Sequence, residues 1–172
     1  PTCPNGMVWV PPGSFQQGSR INDPGRSFGE LSTQRLELAG YCMDVYEFPN
    51  RKAQMPRGQV TWNEAKTLCE SQGKRLCHEA EWEKACKGPQ DFDYPYGRDY
   101  VAQMCNLSDE LSPNRSVQKS GSQVRCISGY GVADLSGNLG EWTSARVAAD
   151  APDRVIKGGG ADKGAIASRC AA

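Results

Sequence analysis

The stretch Gly131-Val-Ala-Asp-Leu-Ser-Gly-Asn-Leu-Gly-Glu-Trp142 is the part of the chain around which the rest is organised. Asp134, Asn138 and Glu141 bring three oxygen-bearing side chains within eight residues, and the glycines between them allow tight turns. Carboxylates, an amide and inward-turned carbonyls are the oxygen ligands that calcium takes. The alternative is an acidic turn with a Ser-Gly-Asn tip and no metal, because acidic turns are common. Trp142 is predicted to begin a buried strand.

Length and charge set the general class of the chain. Its 172 residues predict one domain, large enough to bury about 70% of its unfolded surface. The 20 acidic and 20 basic residues are interspersed, so no basic stripe indicates a nucleic-acid partner. No apolar run approaches the roughly 18 residues of a membrane span, and no signal peptide is present. The opening Pro-Thr-Cys-Pro-Asn is typical of a mature or trimmed start.

The cysteine content predicts an oxidising compartment. An even, dispersed set without any Cys-x-x-Cys pair favours disulfides and an extracytoplasmic location: secreted, periplasmic or cell-surface. An alternative is a zinc site, although the spacing lacks the short knuckles of structural zinc. That site would use Cys69, Cys77, His78 and Cys86. The eight cysteines are Cys3, Cys42, Cys69, Cys77, Cys86, Cys105, Cys126 and Cys170.

Two helices are predicted in the middle of the chain. Thr61 as N-cap with Glu64 three residues later predicts a capping box and a helix over residues 61–72. A second helix is predicted over residues 79–87, ending at a glycine. Trp62 and Trp82, one on each helix, are predicted to lie in the core.

Short strands precede the helices, and irregular chain follows them. Residues 7–10 predict a strand with its partner beginning at residues 14–15, and residues 36–45 predict one or two strands broken at a glycine. Residues 16–33 predict a polar loop, and periodicity fades between residues 88 and 131. Such a long irregular stretch is uncommon in a compact domain.

The 131–142 loop resembles the Gly-Leu-Tyr-Asn/Asp-hydrophobic-x-Gly-Asn-x-x-Glu-Trp-Thr signature of the sulfatase-modifying-factor family, which includes the formylglycine-generating enzyme. Further blocks resemble the family in order and spacing, among them Met-Val-Trp-Val-Pro-Pro-Gly-Ser-Phe near the start and Gly-Lys-Arg-Leu-Cys-His-Glu-Ala-Glu-Trp-Glu-Lys-Ala around the second helix. Tyr-Pro-Tyr-Gly and Cys-Asn-Leu follow. The blocks run from residue 6 to residue 172.

The resemblance implies an α+β fold of the C-type-lectin-like, formylglycine-generating-enzyme type: loop-rich, with two helices and small antiparallel sheets. It implies one domain over residues 1–172, without the family's final C-terminal strand. It also implies structural calcium. The first site would use side-chain oxygens of Asp134 and Glu141 with the carbonyls of Gly137 and Leu139. A second site would use the Asn106 side chain and the Leu107 carbonyl.

The family's oxidases hold copper(I) between two thiolates that lie between a Gly-Gly-Ser turn and an Arg-Cys-Ala-Ala element. Between Gly160 and Arg169 this chain has no cysteine, so no copper is expected. The resemblance implies that Cys170 bridges to Cys86. In the family the counterpart of Cys69 pairs with the missing final strand, so Cys69 is left without that partner or pairs with another cysteine such as Cys77.

Few catalytic arrangements are compatible with the residues. The single histidine, His78, stands at the start of the second helix without a Gly-x-Ser-x-Gly elbow, which favours a local capping role. We therefore expect a non-catalytic, calcium-stabilised, secreted module with no catalytic residues, which binds a protein or peptide or serves a structural role. The alternative function is a formylglycine-generating oxidase acting on a substrate cysteine.

Overall fold

Six short strands and two nine-residue helices make up the regular structure of the computed structural model, which describes all residues from Pro1 to Ala172. Each element is short, so loops make up most of the chain, as the sequence predicts. A short 3-10 turn lies near the C-terminal end at Ile166–Ser168. In chain order the elements are β1 (Met7–Val10), β2 (Gly13–Gln17), β3 (Gln34–Leu38), β4 (Tyr41–Asp44), α1 (Trp62–Glu70), α2 (Glu79–Lys87), β5 (Glu141–Arg146) and β6 (Arg154–Lys157).

The strands form three separate antiparallel pairs, β1 with β4, β2 with β3 and β5 with β6. The prediction that β1 and β2 pair with each other was wrong. Pro11 and Pro12 join these strands, and two prolines lack the N–H groups and the backbone freedom of a tight hairpin. The predicted break at Gly40 is confirmed. A Cβ there would clash with the Trp9 ring, so only glycine allows the ring to pack.

Helix α1 begins with the predicted capping box: the Thr61 hydroxyl accepts from the Glu64 N–H, and the Glu64 carboxylate accepts from the Thr61 N–H. None of its residues is buried, so placing Trp62 in the core was wrong. The Trp62 indole instead donates to the Thr143 carbonyl at 2.8 Å, while the Arg154 guanidinium lies 4.0 Å above its ring. This tryptophan joins α1 to β5 at the surface.

Helix α2 has the predicted bounds and supplies the centre of the core. His78 is its N-cap, which confirms the capping role. Trp82 is 1% exposed and packs in a cluster that draws on strands, helix and the 131–142 loop. The cluster contains Val10, Met43, Trp82, Ala85, Cys86, Val132, Leu135 and Cys170.

Charged side chains on the other face of α2 are buried against β2 and the residues beside it. The ammonium groups of Lys84 and Lys87 each donate to two backbone carbonyls of that segment. Glu83 lies 3.0 Å from Lys87 and accepts from the Gly18 N–H. These partners offset the cost of burying the charges and fix the strand pair to the helix. The four carbonyls that accept from the lysines belong to Pro11, Gly13, Gln16 and Gly18.

Three disulfides staple the loops. The predicted Cys86–Cys170 bridge is confirmed, and it is joined by Cys3–Cys42 and Cys105–Cys126. Cys69 and Cys77 are both free thiols, so they do not pair with each other. The zinc alternative was wrong, because the Cys86 sulfur is held in a disulfide. No helix has the length and apolar character needed to cross a membrane.

Candidate functional site

The 131–142 loop turns on residues with left-handed backbone conformations. Asp134 and Asn138 have φ of 59° and 55°, and Gly137 between them has φ of 79°. A Cβ at Gly137 would clash with the carbonyl oxygen of Asn106, so only glycine allows the two segments to meet. The same residues form an isolated parallel bridge. The loop is therefore built against the segment that carries the second predicted site.

Asn138 is the centre of a buried hydrogen-bond network. Its amide nitrogen donates to both carboxylate oxygens of Glu47, at 3.1 and 2.9 Å, and to the Gln118 carbonyl. Its amide oxygen accepts from the Asn106 side chain and from the Gln118 N–H, both at 2.8 Å. The side chain is thus fully used in joining segments, so it is not among the residues available to a cation.

Glu47 is a site residue that the sequence argument missed. Besides Asn138, its carboxylate accepts from the Leu139 N–H at 3.1 Å and from the Ser120 hydroxyl at 2.7 Å. Burial raises the pKa of Glu47, the hydrogen bonds lower it, and the nearby Asp134 adds to the rise. The resulting pKa is about 7. The available signal was its position in a Glu-Phe-Pro-Asn turn three residues after β4.

The four residues of the first predicted calcium site each keep one oxygen free of hydrogen bonds. Asp134 accepts from the Gly121 N–H through Oδ2 at 2.6 Å, and Glu141 accepts from the Trp82 indole through Oε2 at 2.8 Å. Their other carboxylate oxygens accept none. No hydrogen bond reaches the carbonyl oxygens of two further loop residues, Gly137 and Leu139. Carboxylate and carbonyl oxygens are the ligand types that calcium takes.

The acidic side chains at this loop have no basic partner. Burial raises the pKa of Glu141 to about 8, and the neighbouring Glu47 and Asp134 add to the rise against the Trp82 hydrogen bond. Burial likewise raises the pKa of Asp134. No Lys or Arg forms an ion pair with any of the three acids. No three acidic, His or Cys side chains are grouped as a metal site, so a bound cation would depend on the carbonyls.

The second predicted site has one supporting observation, a buried oxygen without a hydrogen-bond partner. Asn106 is 2% exposed, and its side-chain oxygen is buried without any hydrogen-bond partner. The carbonyl oxygen of Leu107 accepts no hydrogen bond either. A buried oxygen that accepts no hydrogen bond within the protein is open to a water or an ion, so it fits a cation there.

An apolar cavity of about 450 Å³ lies between α1, β4 and the start of β5. Its walls include Met43, Leu68 and Trp142, with the free thiols of Cys69 and Cys77. Burial raises the pKa of the Cys77 thiol to about 12, and the carboxylates of its neighbours add to the rise. Burial raises the pKa of Cys69 as well. Both thiols are therefore held in the protonated form at neutral pH.

Comparison with known proteins places these features in a family. A family model described as "Sulfatase-modifying factor enzyme 1-like domain" matches residues 48–172. A protein of Bos taurus named inactive C-alpha-formylglycine-generating enzyme 2 is 35% identical over 116 residues, which are 62% of this chain and 38% of that protein. The formylglycine-generating enzyme of Mus musculus is 34% identical over 95 residues, 49% of this chain and 26% of the enzyme. The chain thus spans well under half of these relatives.

Two solved structures share the fold. The structure of PvdO from Pseudomonas aeruginosa superposes with a TM-score of 0.76 and 19% identity, covering 96% of this chain and 85% of that one. Variable protein 1 of Treponema denticola gives a TM-score of 0.73 and 16% identity, covering 96% and 87%. At such identities the likeness shows the fold alone. The predicted family and the predicted loop-rich α+β fold are both confirmed.

Proposed function

The chain belongs to the sulfatase-modifying factor enzyme 1-like family, and we propose that it is a calcium-stabilised, non-catalytic member of it that works outside the cytoplasm. The proposed partner is a protein or peptide, and the structural role of calcium is to hold the loops that carry the fold. The activity of the relatives is not part of this proposal, because a shared fold and family do not determine which reaction a protein catalyses.

The calcium proposal rests on the free oxygens of the 131–142 loop. Asp134, Gly137, Leu139 and Glu141 each have one unused oxygen, and neither carboxylate has a basic partner. Bound calcium would supply the missing positive charge. It takes six to eight oxygens, so water or a bidentate Glu141 would complete the shell. Asn106 and Leu107 are proposed as part of a second site, supported by the orphaned amide oxygen.

The non-catalytic proposal rests on the thiols. The segment between Gly160 and Arg169 contains no cysteine, and Cys170 is tied up in a disulfide. The two remaining thiols, Cys69 and Cys77, lie outside that segment, where the resemblance places the copper ligands of the family's oxidases. The similarity to a relative named inactive points the same way. We therefore assign no catalytic residues and expect no copper.

An extracytoplasmic location is supported by the three disulfides, which persist in oxidising compartments. A protein or peptide partner is supported by the apolar cavity beneath α1, since concave apolar surfaces with a few polar groups are the usual ligand sites. Strand β4 pairs only with β1 and lines this cavity, which supports an extended peptide as the occupant.

The second candidate function is a formylglycine-generating oxidase, which the similarity to the mouse enzyme favours. The test is incubation of the chain with copper(I), oxygen and a Cys-x-Pro-x-Arg peptide, followed by mass spectrometry. We expect the peptide cysteine to stay unchanged relative to a sample without the chain. Conversion of the cysteine above that background would overturn the non-catalytic proposal.

A further inference from the structure

The segment between Cys105 and Cys126 has no helix or strand, and the disulfide between its ends closes it into a loop. We propose that this disulfide is a positioning clamp for both calcium loops. Both half-cystines are almost fully buried, at 2% and 1% exposure. The disulfide therefore lies in the interior of the protein rather than at its surface.

The clamp joins the two predicted sites through its own ends. Cys105 directly precedes Asn106, the residue with the orphaned amide oxygen. At the other end, the carbonyl of Cys126 accepts from the N–H of Asp134 at 2.9 Å. Fixing the distance between the two cysteines thus fixes the second site against the first.

The middle of the stapled segment supplies the donors that orient the first loop. The Gly121 N–H donates to the Asp134 carboxylate at 2.6 Å and leaves its other oxygen free for a cation. The Gln118 N–H and carbonyl both bond to the Asn138 side chain. The Ser120 hydroxyl donates to the Glu47 carboxylate, which in turn holds the loop.

Without the bridge these donors would belong to a long irregular loop whose ends are not linked to each other. Its open form has many more conformations, so ordering it around a cation would cost more free energy. With the bridge in place the loop is already closed, and cation binding does not carry that cost. Calcium affinity should therefore depend on the disulfide although neither cysteine is a predicted ligand.

This inference rests on the proposed calcium binding, and the test separates the two. Calcium affinity of the full chain is measured by titration calorimetry for wild type, for Cys105→Ala with Cys126→Ala, and for Cys3→Ala with Cys42→Ala. The control pair also removes one disulfide, with a sequence separation of 39 rather than 21, so it should lose at least as much stability.

We expect the first double variant to bind calcium about tenfold or more weakly, and the control pair to bind within about twofold of wild type. A folded Cys105/Cys126 variant that binds as tightly as wild type would overturn the clamp while leaving the calcium proposal intact. Equal weakening in both variants would overturn it too. Wild type that binds no calcium removes both proposals.

Hydrogen exchange on the wild-type chain covers the case in which the first double variant does not fold. Calcium should slow exchange of the Arg115 and Cys126 amides, which donate within the stapled segment and not to the 131–142 loop, because the clamp couples that segment to the loop. Amides of β1, beside the control disulfide, should change little. Exchange at Arg115 and Cys126 that is the same with and without calcium, in a chain that binds calcium, would contradict the proposal.

Discussion

At the scale of single residues, His78 shows how the only histidine of the chain is used structurally. Its Nδ1 accepts from the Ala80 N–H at 3.3 Å, while the Glu81 carboxylate accepts from the His78 N–H at 2.8 Å. We expect His78→Ala to lower the free energy of unfolding by about 1 kcal/mol, because the cap acceptor is lost. His78→Thr keeps an acceptor and should lose much less. Urea unfolding measures both; equal losses would argue against capping.

The Cys77 thiol gives a prediction about reactivity. Burial raises its pKa to about 12, so on the order of one thiol in ten thousand is ionised at pH 8. In Cys69→Ser, where Cys77 is the one remaining free thiol, alkylation by iodoacetamide should be slow. Its rate should rise about tenfold per pH unit between pH 8 and pH 11 while the fold persists. A rate that levels off near pH 9 would show an ordinary exposed thiol.

At the scale of elements, the two helices differ in how far the sequence predicts them. The capping boxes and the bounds of α2 follow from local chemistry, which the sequence carries directly. The placing of Trp62 failed because periodicity reveals an apolar face but not what covers it. In the structure that face borders a cavity. The Trp62 indole donates to the Thr143 carbonyl, and the Arg154 guanidinium lies over its ring. Pairing of β2 with β3 was missed for a similar reason, since strand partners depend on non-local packing.

The Cys86–Cys170 disulfide joins the end of α2 to the C-terminal end of the chain across 84 residues. We expect Cys86→Ala with Cys170→Ala to lower the free energy of unfolding by up to about 4 kcal/mol, because the unfolded chain gains conformational entropy when so long a loop is no longer closed. The Cys3–Cys42 bridge, with a separation of 39, should matter less when removed in the same way. Chemical denaturation of the two double variants compares them; a smaller loss from the longer loop would contradict the estimate.

At the scale of the whole molecule, three distant segments assemble the site. Glu47 bonds to Asn138 across 91 residues, and the stapled 105–126 segment bonds to both. The sequence predicts that Asp134, Gly137, Leu139 and Glu141 lie close together, because they share one short loop. It does not predict that Glu47 lies beside the loop or that the Asn138 side chain bonds to it, since contacts between such distant residues form only when the chain has folded. Resemblance to the family identified the loop, and the structure supplies what surrounds it.

The central claim is that calcium stabilises this domain through the 131–142 loop. The most direct measurement is thermal unfolding in millimolar calcium and in chelator, for wild type, Glu141→Gln and, as a control at an exposed position of β3, Glu37→Gln. The amide that replaces the carboxylate in the first variant still offers an acceptor to the Trp82 indole, so the change isolates the charge.

At 100 times its dissociation constant, calcium should add about 2.7 kcal/mol to the free energy of unfolding. For a domain of this size that is roughly 5–10 °C in melting temperature. We expect wild type and Glu37→Gln to show this difference between calcium and chelator, and Glu141→Gln to show much less of it. A wild-type melting temperature that is the same in calcium and in chelator would contradict the account.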